Sequence, residues 1–240
     1  MKNKVAVIIP IYKNNFTENE RLSLSKCKNI LGNYPIVFVQ PYGLETKIYS
    51  EIIPKATFQA FDTFYFKTIE GYSQLMLSPI FYKAFIAFEY ILIYQTDAIV
   101  FKDQLLYWCN KGYDYIGAPW LSLPPLTKDK PTFDMRPWFV NKVGNGGFSL
   151  RKVKSHYRNT FFYRPMLKYF VKNEDMFWGV LINWFNPFFK KPNYKTAVHF
   201  AIEMDYEIAL GLTNNVLPFG VHAWEKYDKE FWKEMLDLNL

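Results

Sequence analysis

Apolar runs separated by breaker-rich polar segments divide the chain into strands that alternate with helices. Residues 5–10 are a continuous apolar run ended by proline, which is typical of a central parallel strand covered on both faces, and residues 35–41 are a second strand flanked by prolines. Between them, Thr17 and Glu20 stand at capping-box spacing, which predicts a helix that ends near Leu31. A third, shorter strand is predicted at residues 64–66. The first part of the chain therefore indicates repeated β-α-β order.

One carboxylate interrupts the apolar run 91–101. A buried charge without a partner is costly, so Asp97 must find partners or leave the core. If one strand ends near Tyr94 and another begins at Ala98, Asp97 lies in a turn at the carboxyl edge of the sheet, where open α/β sheets bind ligands. Asp97 then either caps the turn or the next helix, or holds a metal ion or a ligand hydroxyl.

The alternation of strands and helices continues through the rest of the chain. Ser78 and Pro79 are typical of a helix start. The pattern further predicts helix 103–110, strand 113–118, a regular segment at 143–151, helices at 152–172 and from 173, strand 216–222 and a helix from 225. This order favours a mostly parallel, layered α/β sheet flanked by helices in a single domain, residues 1–240.

A proline-rich segment, residues 119–137, interrupts the pattern. A long irregular loop inside a compact domain is either functional or disordered. Because this segment and its border carry Trp120, Phe133 and Trp138, we interpret it as a loop that covers the substrate.

Composition favours one folded domain with an anionic partner. The 240 residues are half hydrophobic and one fifth aromatic, which suits a single α/β domain that can stack rings of a base or sugar. The net charge of +7 favours a nucleotide, a phosphorylated substrate, nucleic acid or an anionic membrane surface. Cys27 and Cys109 are isolated, which excludes a disulfide framework and a zinc cluster and indicates a reducing compartment.

The amino-terminal pattern predicts a cytoplasmic protein. Residues 1–5 pass directly into a strand, without an apolar segment and a small-residue cleavage site. The longest apolar region, residues 75–94, contains Lys83 and Glu89, which excludes a spanning helix.

Three further segments contain residues of the types that take part in catalysis or ligand binding. His222 follows an apolar strand beside Gly220 and is either a satisfied core residue or a ligand. Glu174 and Asp175 begin an apolar helical segment, where a carboxylate either caps the helix or acts as a general base. Residues 144–147 lack the spacing of a dinucleotide or phosphate loop, so they form either a backbone wall against which a ring lies or an ordinary turn.

Basic residues interleaved with aromatic ones follow between positions 151 and 172. They form either a solvated helix face or a surface for a membrane or nucleic acid. No nucleic-acid-binding motif accompanies them, so we expect no nucleic-acid partner. The basic residues are Arg151, Lys152, Lys154, Arg158, Arg164, Lys168 and Lys172.

Taken in order, these segments resemble glycosyltransferases of the GT-A fold, in particular a small bacterial family of that class. Residues 7–12 resemble the first strand and nucleotide-binding loop, and residues 94–97 resemble the Asp-x-Asp motif with Gln95 in place of the first Asp. Residues 144–151 are similar to the glycine-rich segment that borders the donor and acceptor sugars. Residues 173–179 resemble the Glu-Asp motif of inverting members, including fringe-like β-1,3-glycosyltransferases, and His222 matches a late histidine of the metal site.

The resemblance implies a cytoplasmic hexosyltransferase that moves a sugar from a nucleotide donor, expected to be a UDP-sugar, to a carbohydrate or lipid-linked glycan at the inner face of the membrane. Residues 1–118 would bind the donor, and residues 119–240 would bind the acceptor and carry the catalytic residues. Asp97 and His222 would bind Mn²⁺ or Mg²⁺, and Asp175, with Glu174 beside it, would supply the base for an inverting displacement. The residues implied in donor binding are Pro10, Ile11, Tyr12, Gln40, Lys83, Gln95, Thr96, Asp97, Gly146 and Gly147. A retaining enzyme of the same fold and a binding protein without transfer activity are the alternatives.

Overall fold

The computed structural model describes residues 3–123, 136–169 and 172–237, and a sheet of six strands forms the centre of this part of the chain. The six strands are β1 Asn3–Pro10, β2 Ile36–Pro41, β3 Thr57–Phe61, β4 Phe88–Tyr94, β6 Tyr115–Ile116 and β9 Phe148–Lys152. They lie in the order β3-β2-β1-β4-β9-β6. Strands β3, β2, β1 and β4 are parallel, whereas β9 pairs antiparallel with both β4 and β6. The predicted mostly parallel sheet is confirmed.

Five short strands complete the described sheets: β5 Ile99–Val100, β7 Pro119–Trp120, β8 Lys142–Val143, β10 Ala201–Ile202 and β11 Gly220–Val221. A three-stranded sheet has the order β10-β11-β5, and β7 pairs with β8. The three-stranded sheet begins where the chain leaves β4, because β5 follows β4 after a four-residue turn.

Helices flank the sheets. They are α1 Glu18–Leu31, α2 Lys47–Ile52, α3 Ile69–Met76, α4 Pro79–Ala84, α5 Leu105–Asn110, α6 Val153–Phe162, α7 Arg164–Leu167, α8 Glu174–Met176, α9 Ile182–Phe185, α10 Tyr194–Phe200, α11 Tyr206–Leu212 and α12 Lys229–Asp237. A π-helical turn, Phe177–Leu181, joins α8 to α9. No helix of the described residues is both long enough and apolar enough to cross a lipid bilayer.

The predicted capping box begins α1. The Glu20 backbone N–H donates to the Thr17 hydroxyl over 3.2 Å, and the Thr17 N–H donates to the Glu20 carboxylate over 2.8 Å. Ser78 likewise caps α4, which has Pro79 at its first position, because its hydroxyl accepts the Ile80 N–H. These two predicted helix starts are confirmed, since local spacing alone determines them.

The predicted strand at residues 64–66 is wrong. Thr63–Phe66 forms a 3₁₀ turn, and the Asp62 carboxylate caps it by accepting the Phe64 N–H over 2.8 Å. The third strand is instead Thr57–Phe61, an edge strand that begins with two exposed residues and therefore lacks a continuous apolar run. An edge position has one solvated side, so a pattern search for buried runs misses it.

The predicted helix 152–172 is interrupted. The chain leaves helical geometry at Tyr163 and restarts as α7, in which Pro165 occupies one of the first two positions. Proline cannot donate the i→i−4 hydrogen bond that a continuous helix needs. The predicted strand at 216–222 is confined to β11, and the closing helix begins at Lys229 rather than 225.

Candidate active site

Three short strands bring three polar side chains to one point. Strand β11 pairs with β5 in the register Val221 to Ile99, and with β10 in the register Val221 to Ile202. The residues that border these pairs are His222 after β11, Glu203 after β10, and Asp97 in the turn before β5. Their meeting depends on strand register across more than a hundred residues of chain.

The His222 ring lies between two carboxylates. Its Nε2 atom is 3.2 Å from Oδ1 of Asp97, and its Nδ1 atom is 3.2 Å from Oε1 of Glu203. Burial favours the neutral ring, but the hydrogen bonds to Asp97 and Glu203 outweigh it and raise the pKa of His222 to about 10. Burial also opposes ionisation of Asp97, yet the hydrogen bond from His222 holds the pKa of that carboxyl below its ordinary value. The two flanking carboxylates therefore favour the imidazolium form of His222, with one ring N–H directed to each of them.

Gln95 joins the same centre. Its Oε1 atom lies 3.0 Å from Nε2 of His222, on the side that faces Asp97. Neighbouring ligands of an octahedral ion at about 2.1 Å lie about 3.0 Å apart, so the donors of Gln95, Asp97 and His222 have spacings that suit Mg²⁺ or Mn²⁺. The described residues contain no cluster of three or more His, Cys, Asp or Glu side chains arranged for a metal ion.

The residue pair Gly146–Gly147 forms a side-chain-free wall against this centre. The Gln95 N–H donates to the Gly147 carbonyl over 2.9 Å, and a Cβ atom at Gly147 would overlap the His222 ring. A Cβ atom at Gly146 would overlap the Glu174 carboxylate on the other side. The Gly147 N–H donates to the Asn145 side-chain oxygen over 3.0 Å, which fixes the segment. The two glycines thus let two side-chain clusters approach one stretch of backbone.

Glu174 forms a buried ion pair with Arg151. Nη2 of Arg151 lies 2.8 Å from Oε1 of Glu174, and Nη1 lies 3.0 Å from Oε2, a bidentate arrangement. Arg151 also donates to Ser149, Tyr82 and the Gly146 carbonyl, so the guanidinium is fully enclosed by partners. Glu174 therefore holds the glycine wall in place, and it is not positioned as a free catalytic carboxylate.

Asp175 has a different environment from its neighbour. Burial and the adjacent Glu174 charge raise the pKa of Asp175 to about 7, with a further contribution from Glu203. Within the described residues, the side chain accepts one hydrogen bond, from the Met176 N–H to Oδ1 over 2.8 Å. A carboxylate with a pKa near neutrality and an available second oxygen is suited to accept a proton.

A cleft of about 580 Å³ opens beside this centre. Pro10 and Tyr12 line it at the end of β1, and Gln95, Thr96 and Asp97 line it at the end of β4. The opposite wall comes from the segment before and within α3. The residues of that wall are Phe66, Lys67, Thr68, Ile69 and Tyr72. The cleft lies at the carboxyl edge of the parallel strands, where ligands bind in open α/β sheets.

Glu20 lines this cleft and hydrogen-bonds to Thr96, the residue before Asp97 in the turn. Its Oε1 atom accepts the Thr96 hydroxyl over 3.0 Å, and its Oε2 atom accepts Lys13 Nζ over 2.9 Å. Burial disfavours its charge, but the hydrogen bonds from Lys13, the Thr17 backbone and Thr96 together keep the pKa of Glu20 below its ordinary value. The helix-capping residue is thus also the partner of Thr96.

Two buried oxygen atoms near this edge have no partner at hydrogen-bond geometry in the described structure, although Gln95 lies close enough to one of them, the Tyr72 hydroxyl, to lower its pKa in part. They are the Tyr72 hydroxyl, in the cleft, and Oε1 of Gln40, near the end of β2. Burial raises the pKa of Tyr72, so the phenol is a hydrogen-bond donor at neutral pH. An unpartnered polar atom in a cleft is a natural contact for a ligand.

Two of the predicted donor contacts lie elsewhere. Ile11 is buried in the core and offers only its backbone, whose N–H already donates to Val39. Lys83 is exposed at the carboxyl end of α4, close to the start of β4, while the cleft lies beyond the end of that strand. Lys67 is the cation that lines the cleft. Lys83 precedes β4 and therefore lies toward the amino edge of the sheet, whereas ligands bind at the carboxyl edge.

Sequence reasoning missed Glu203, Arg151 as the partner of Glu174, and Glu20 as a cleft residue. Glu203 follows a two-residue strand, which leaves too short an apolar run to predict. A signal did exist for Glu20, whose capping-box position placed it at the carboxyl edge of β1. The predicted substrate-covering loop, residues 119–137, lies mainly outside the described residues. Its first two residues form β7, which pairs with β8 beyond the other end of the loop, and Trp138 is half exposed.

Residues 55–222 match a family model, DUF5672, whose description is a protein of unknown function. The chain belongs to this family. No curated protein matches its sequence.

Solved glycosyltransferase structures share the fold of this DUF5672 chain. An active-site mutant of LgtC is similar at a TM-score of 0.55 and 14% identity, covering 90% of this chain and 86% of LgtC. The galactosyltransferase LgtC in complex with donor and acceptor sugar analogues gives a TM-score of 0.53 at 13% identity, with the same coverage. The glycosyltransferase GlyE of Streptococcus pneumoniae TIGR4 gives 0.53 at 11% identity, covering 97% of this chain and 60% of GlyE. The predicted GT-A glycosyltransferase fold is confirmed.

Proposed function

We propose that this DUF5672 chain is a metal-dependent glycosyltransferase that moves a hexose from a nucleotide sugar, a UDP-sugar, to a carbohydrate or lipid-linked acceptor with inversion. One arrangement carries the proposal. A cleft at the carboxyl edge of the sheet ends at the Asp97–His222 pair, Gly147 packs against His222, and Gly146 packs against Glu174, the neighbour of Asp175, whose pKa is raised to about 7.

The donor would lie in the cleft with its base and ribose against Pro10 and Tyr12. Lys67 and the unpartnered Tyr72 hydroxyl line the volume that the diphosphate would occupy. Thr96, held by Glu20, keeps the turn in position. Pro10, Tyr12 and Thr96 thus keep the donor-binding role that the sequence predicts, and Lys67 replaces Lys83.

Gln95, Asp97 and His222 would hold the Mn²⁺ or Mg²⁺ ion. When bound there, the ion neutralises charge that develops on the departing diphosphate. To hold the ion through Nε2, His222 would be neutral and unprotonated at that atom, and its Nδ1–H would donate to the Glu203 carboxylate. Glu203 is therefore a positioning residue that fixes the ring and its tautomer.

Asp175 would take the acceptor proton. The acceptor oxygen forms a bond to the anomeric carbon of the sugar as the bond from that carbon to the diphosphate oxygen breaks, and the proton moves to the Asp175 carboxylate. Since its pKa is raised to about 7, a substantial part of Asp175 is ionised at neutral pH and remains basic enough to accept the proton. Glu174 does not take part in the proton transfer, because Arg151 occupies both its oxygens.

Calorimetric titration with UDP, with and without Mn²⁺, tests the donor and metal assignment. We expect UDP to bind more tightly with Mn²⁺ to the native chain, and Asp97→Ala to abolish the difference. The exposed carboxylate Asp103 on the other side of β5 supplies the control Asp103→Ala, which should leave it intact. Equal UDP affinity with and without Mn²⁺ in the native chain would overturn the metal role.

A screen of donor hydrolysis across UDP-, GDP-, CMP- and dTDP-sugars separates an enzyme from a binding protein. We expect slow release of nucleotide from a UDP-sugar, and no release from any donor would indicate binding alone. NMR of the anomeric proton in the product decides the stereochemistry. An anomer that keeps the donor configuration would identify the retaining alternative and remove the base role from Asp175.

A further inference from the structure

The positive charge of this protein is concentrated in one part of the chain. Residues 136–202 contain twelve lysines and arginines and two acidic residues, Glu174 and Asp175. The remaining residues carry seventeen basic and twenty acidic side chains, so the net charge of +7 comes entirely from this region. Of the two acids, Glu174 is neutralised by its buried pair with Arg151. The outer surface of this region is therefore strongly cationic.

Exposed cations follow one another along α6, α7 and the residues that lead to α8. They are Lys154, Arg158, Arg164, Lys168 and Lys172. None of these five side chains forms an ion pair with another of the described residues. Unpaired cations on a folded surface produce an attractive field for an anionic partner.

Large apolar side chains are exposed among these cations. The exposed fractions are 62% for Phe161, 73% for Phe162, 76% for Tyr169, 61% for Trp184 and 87% for Phe188. Such a density of exposed rings on a folded domain marks an interaction surface rather than a solvated helix face. We call these rings and the five cations the basic aromatic surface.

Direct contacts join the elements that carry this surface. The Tyr163 hydroxyl donates to the Phe185 carbonyl over 2.9 Å, and the two rings pack with centroids 5.6 Å apart. The Asn186 amide donates to the Asn159 side chain over 3.1 Å. Helices α6 and α7 are thereby fixed against the segment around α9, and their exposed rings belong to one neighbourhood of the molecule.

We infer that the basic aromatic surface binds the headgroup region of an anionic lipid bilayer. Aromatic rings partition into the interface between headgroups and acyl chains, and lysines and arginines around them pair with anionic lipid phosphates. Nucleic acid would pair with the cations and stack bases on the rings, but no nucleic-acid-binding motif accompanies these residues. A purely protein partner would not require a region with hardly any acidic residues.

The position of the surface suits an acceptor that is anchored in a membrane. Lys172 is exposed, and Glu174 and Asp175 follow it closely, so the chain passes from the basic aromatic surface into the candidate catalytic segment. Membrane attachment through this surface would bring that segment close to the bilayer. Binding of this surface to vesicles is measured without donor or acceptor, so the result does not depend on whether the chain has transfer activity.

Vesicle flotation of the full chain tests the inference. We expect the protein to float with vesicles that contain about a third phosphatidylglycerol in phosphatidylcholine, and to stay unbound with phosphatidylcholine alone. Added salt should weaken binding, because the cations supply part of the attraction. Absence of the protein from the anionic vesicle fraction at low salt would overturn the inference.

Paired variants identify the surface. We expect Arg158→Glu with Lys168→Glu, and separately Phe162→Ser with Phe188→Ser, each to lower the vesicle partition coefficient at least about tenfold. Matched controls are Lys28→Glu with Lys55→Glu, and Leu106→Ser with Tyr107→Ser, which change exposed residues on α1, before β3 and on α5. Equal losses in the control and test pairs would overturn the assignment to this surface.

Circular dichroism confirms that each variant is folded. Light scattering without lipid tests whether the exposed rings instead join two copies of the chain. A dimer formed through these rings would also overturn the inference.

Discussion

Nδ1 of His222 lies 3.2 Å from Oε1 of Glu203, on the far side of the ring from Asp97. This pair gives the candidate metal centre a second carboxylate that the Asp-x-Asp comparison did not supply. Gln95 contacts Nε2 of the same ring, and Glu203 contacts its Nδ1 atom. A carboxylate behind a ligating histidine fixes the ring and increases its basicity.

Glu203→Gln should weaken Mn²⁺-dependent UDP binding by about tenfold to a hundredfold, because the amide keeps a hydrogen bond but removes the charge. The expected change is in metal affinity, measured by calorimetric titration of Mn²⁺ in the presence of UDP. Glu207→Gln on α11 changes an exposed carboxylate a few residues away and should leave this affinity unaltered. A metal affinity that is the same in Glu203→Gln and the native chain would contradict the positioning role.

The rate of transfer should follow the ionisation of Asp175. Since burial and Glu174 raise its pKa to about 7, kcat/KM should fall about tenfold per pH unit below pH 7 and level off above it. Measurement of kcat/KM from about pH 5.5 to about pH 9 checks this. Asp175→Asn should remove most of the activity at every pH, and an unchanged rate in that variant would exclude the base.

The same raised pKa affects stability. The folded state of a carboxyl with a raised pKa holds a proton that the unfolded state releases near pH 4, so this contribution to stability is complete below about pH 4 and is lost as the pH rises through about 7. Asp175→Asn carries no charge and should therefore unfold at an equal or higher temperature than the native chain at about pH 8. Thermal unfolding followed by circular dichroism at that pH measures this, and a lower unfolding temperature in the variant would contradict it.

Glu174→Gln should destabilise the fold instead. It leaves the guanidinium of Arg151 buried without its charged partner, a change that costs about 3–5 kcal/mol of unfolding free energy in buried pairs. Urea denaturation of Glu174→Gln and Asp175→Asn side by side tests the contrast. The prediction fails if the two neighbouring substitutions have the same effect on the free energy of unfolding.

Gly147→Ala should disrupt the candidate centre through sterics alone. The added Cβ atom overlaps the His222 ring, so either the ring or the backbone at Gln95 must shift. We expect loss of Mn²⁺-dependent UDP binding with the overall fold retained. Gly211→Ala on α11 is the matched control, because a Cβ atom there meets nothing within 4 Å and alanine favours the helix. Native UDP affinity in Gly147→Ala would show that the wall is less rigid than the structure indicates.

The sequence by itself determined those strands and helix starts that form through interactions between residues close together in the chain. The apolar runs of β1, β2 and β4 and the capping box of α1 were predicted because burial on both faces and helix-end hydrogen bonds impose a pattern on consecutive positions. The turn that carries Asp97 was predicted for the same reason, since a carboxylate within an apolar run requires a break. These local patterns predict a mostly parallel α/β sheet, and the resemblance of the motifs to GT-A glycosyltransferases implies the GT-A class.

Tertiary structure alone decided which side chains meet. The register of β10, β11 and β5 brings Glu203 to His222, and no local pattern records the pairing of two-residue strands. It also gave two neighbouring carboxylates different environments, because Glu174 forms a buried ion pair with Arg151, whereas burial and the Glu174 charge raise the pKa of Asp175. Contacts between residues distant along the chain depend on packing and register, so a single sequence determines the strands and caps but not the centre that they build.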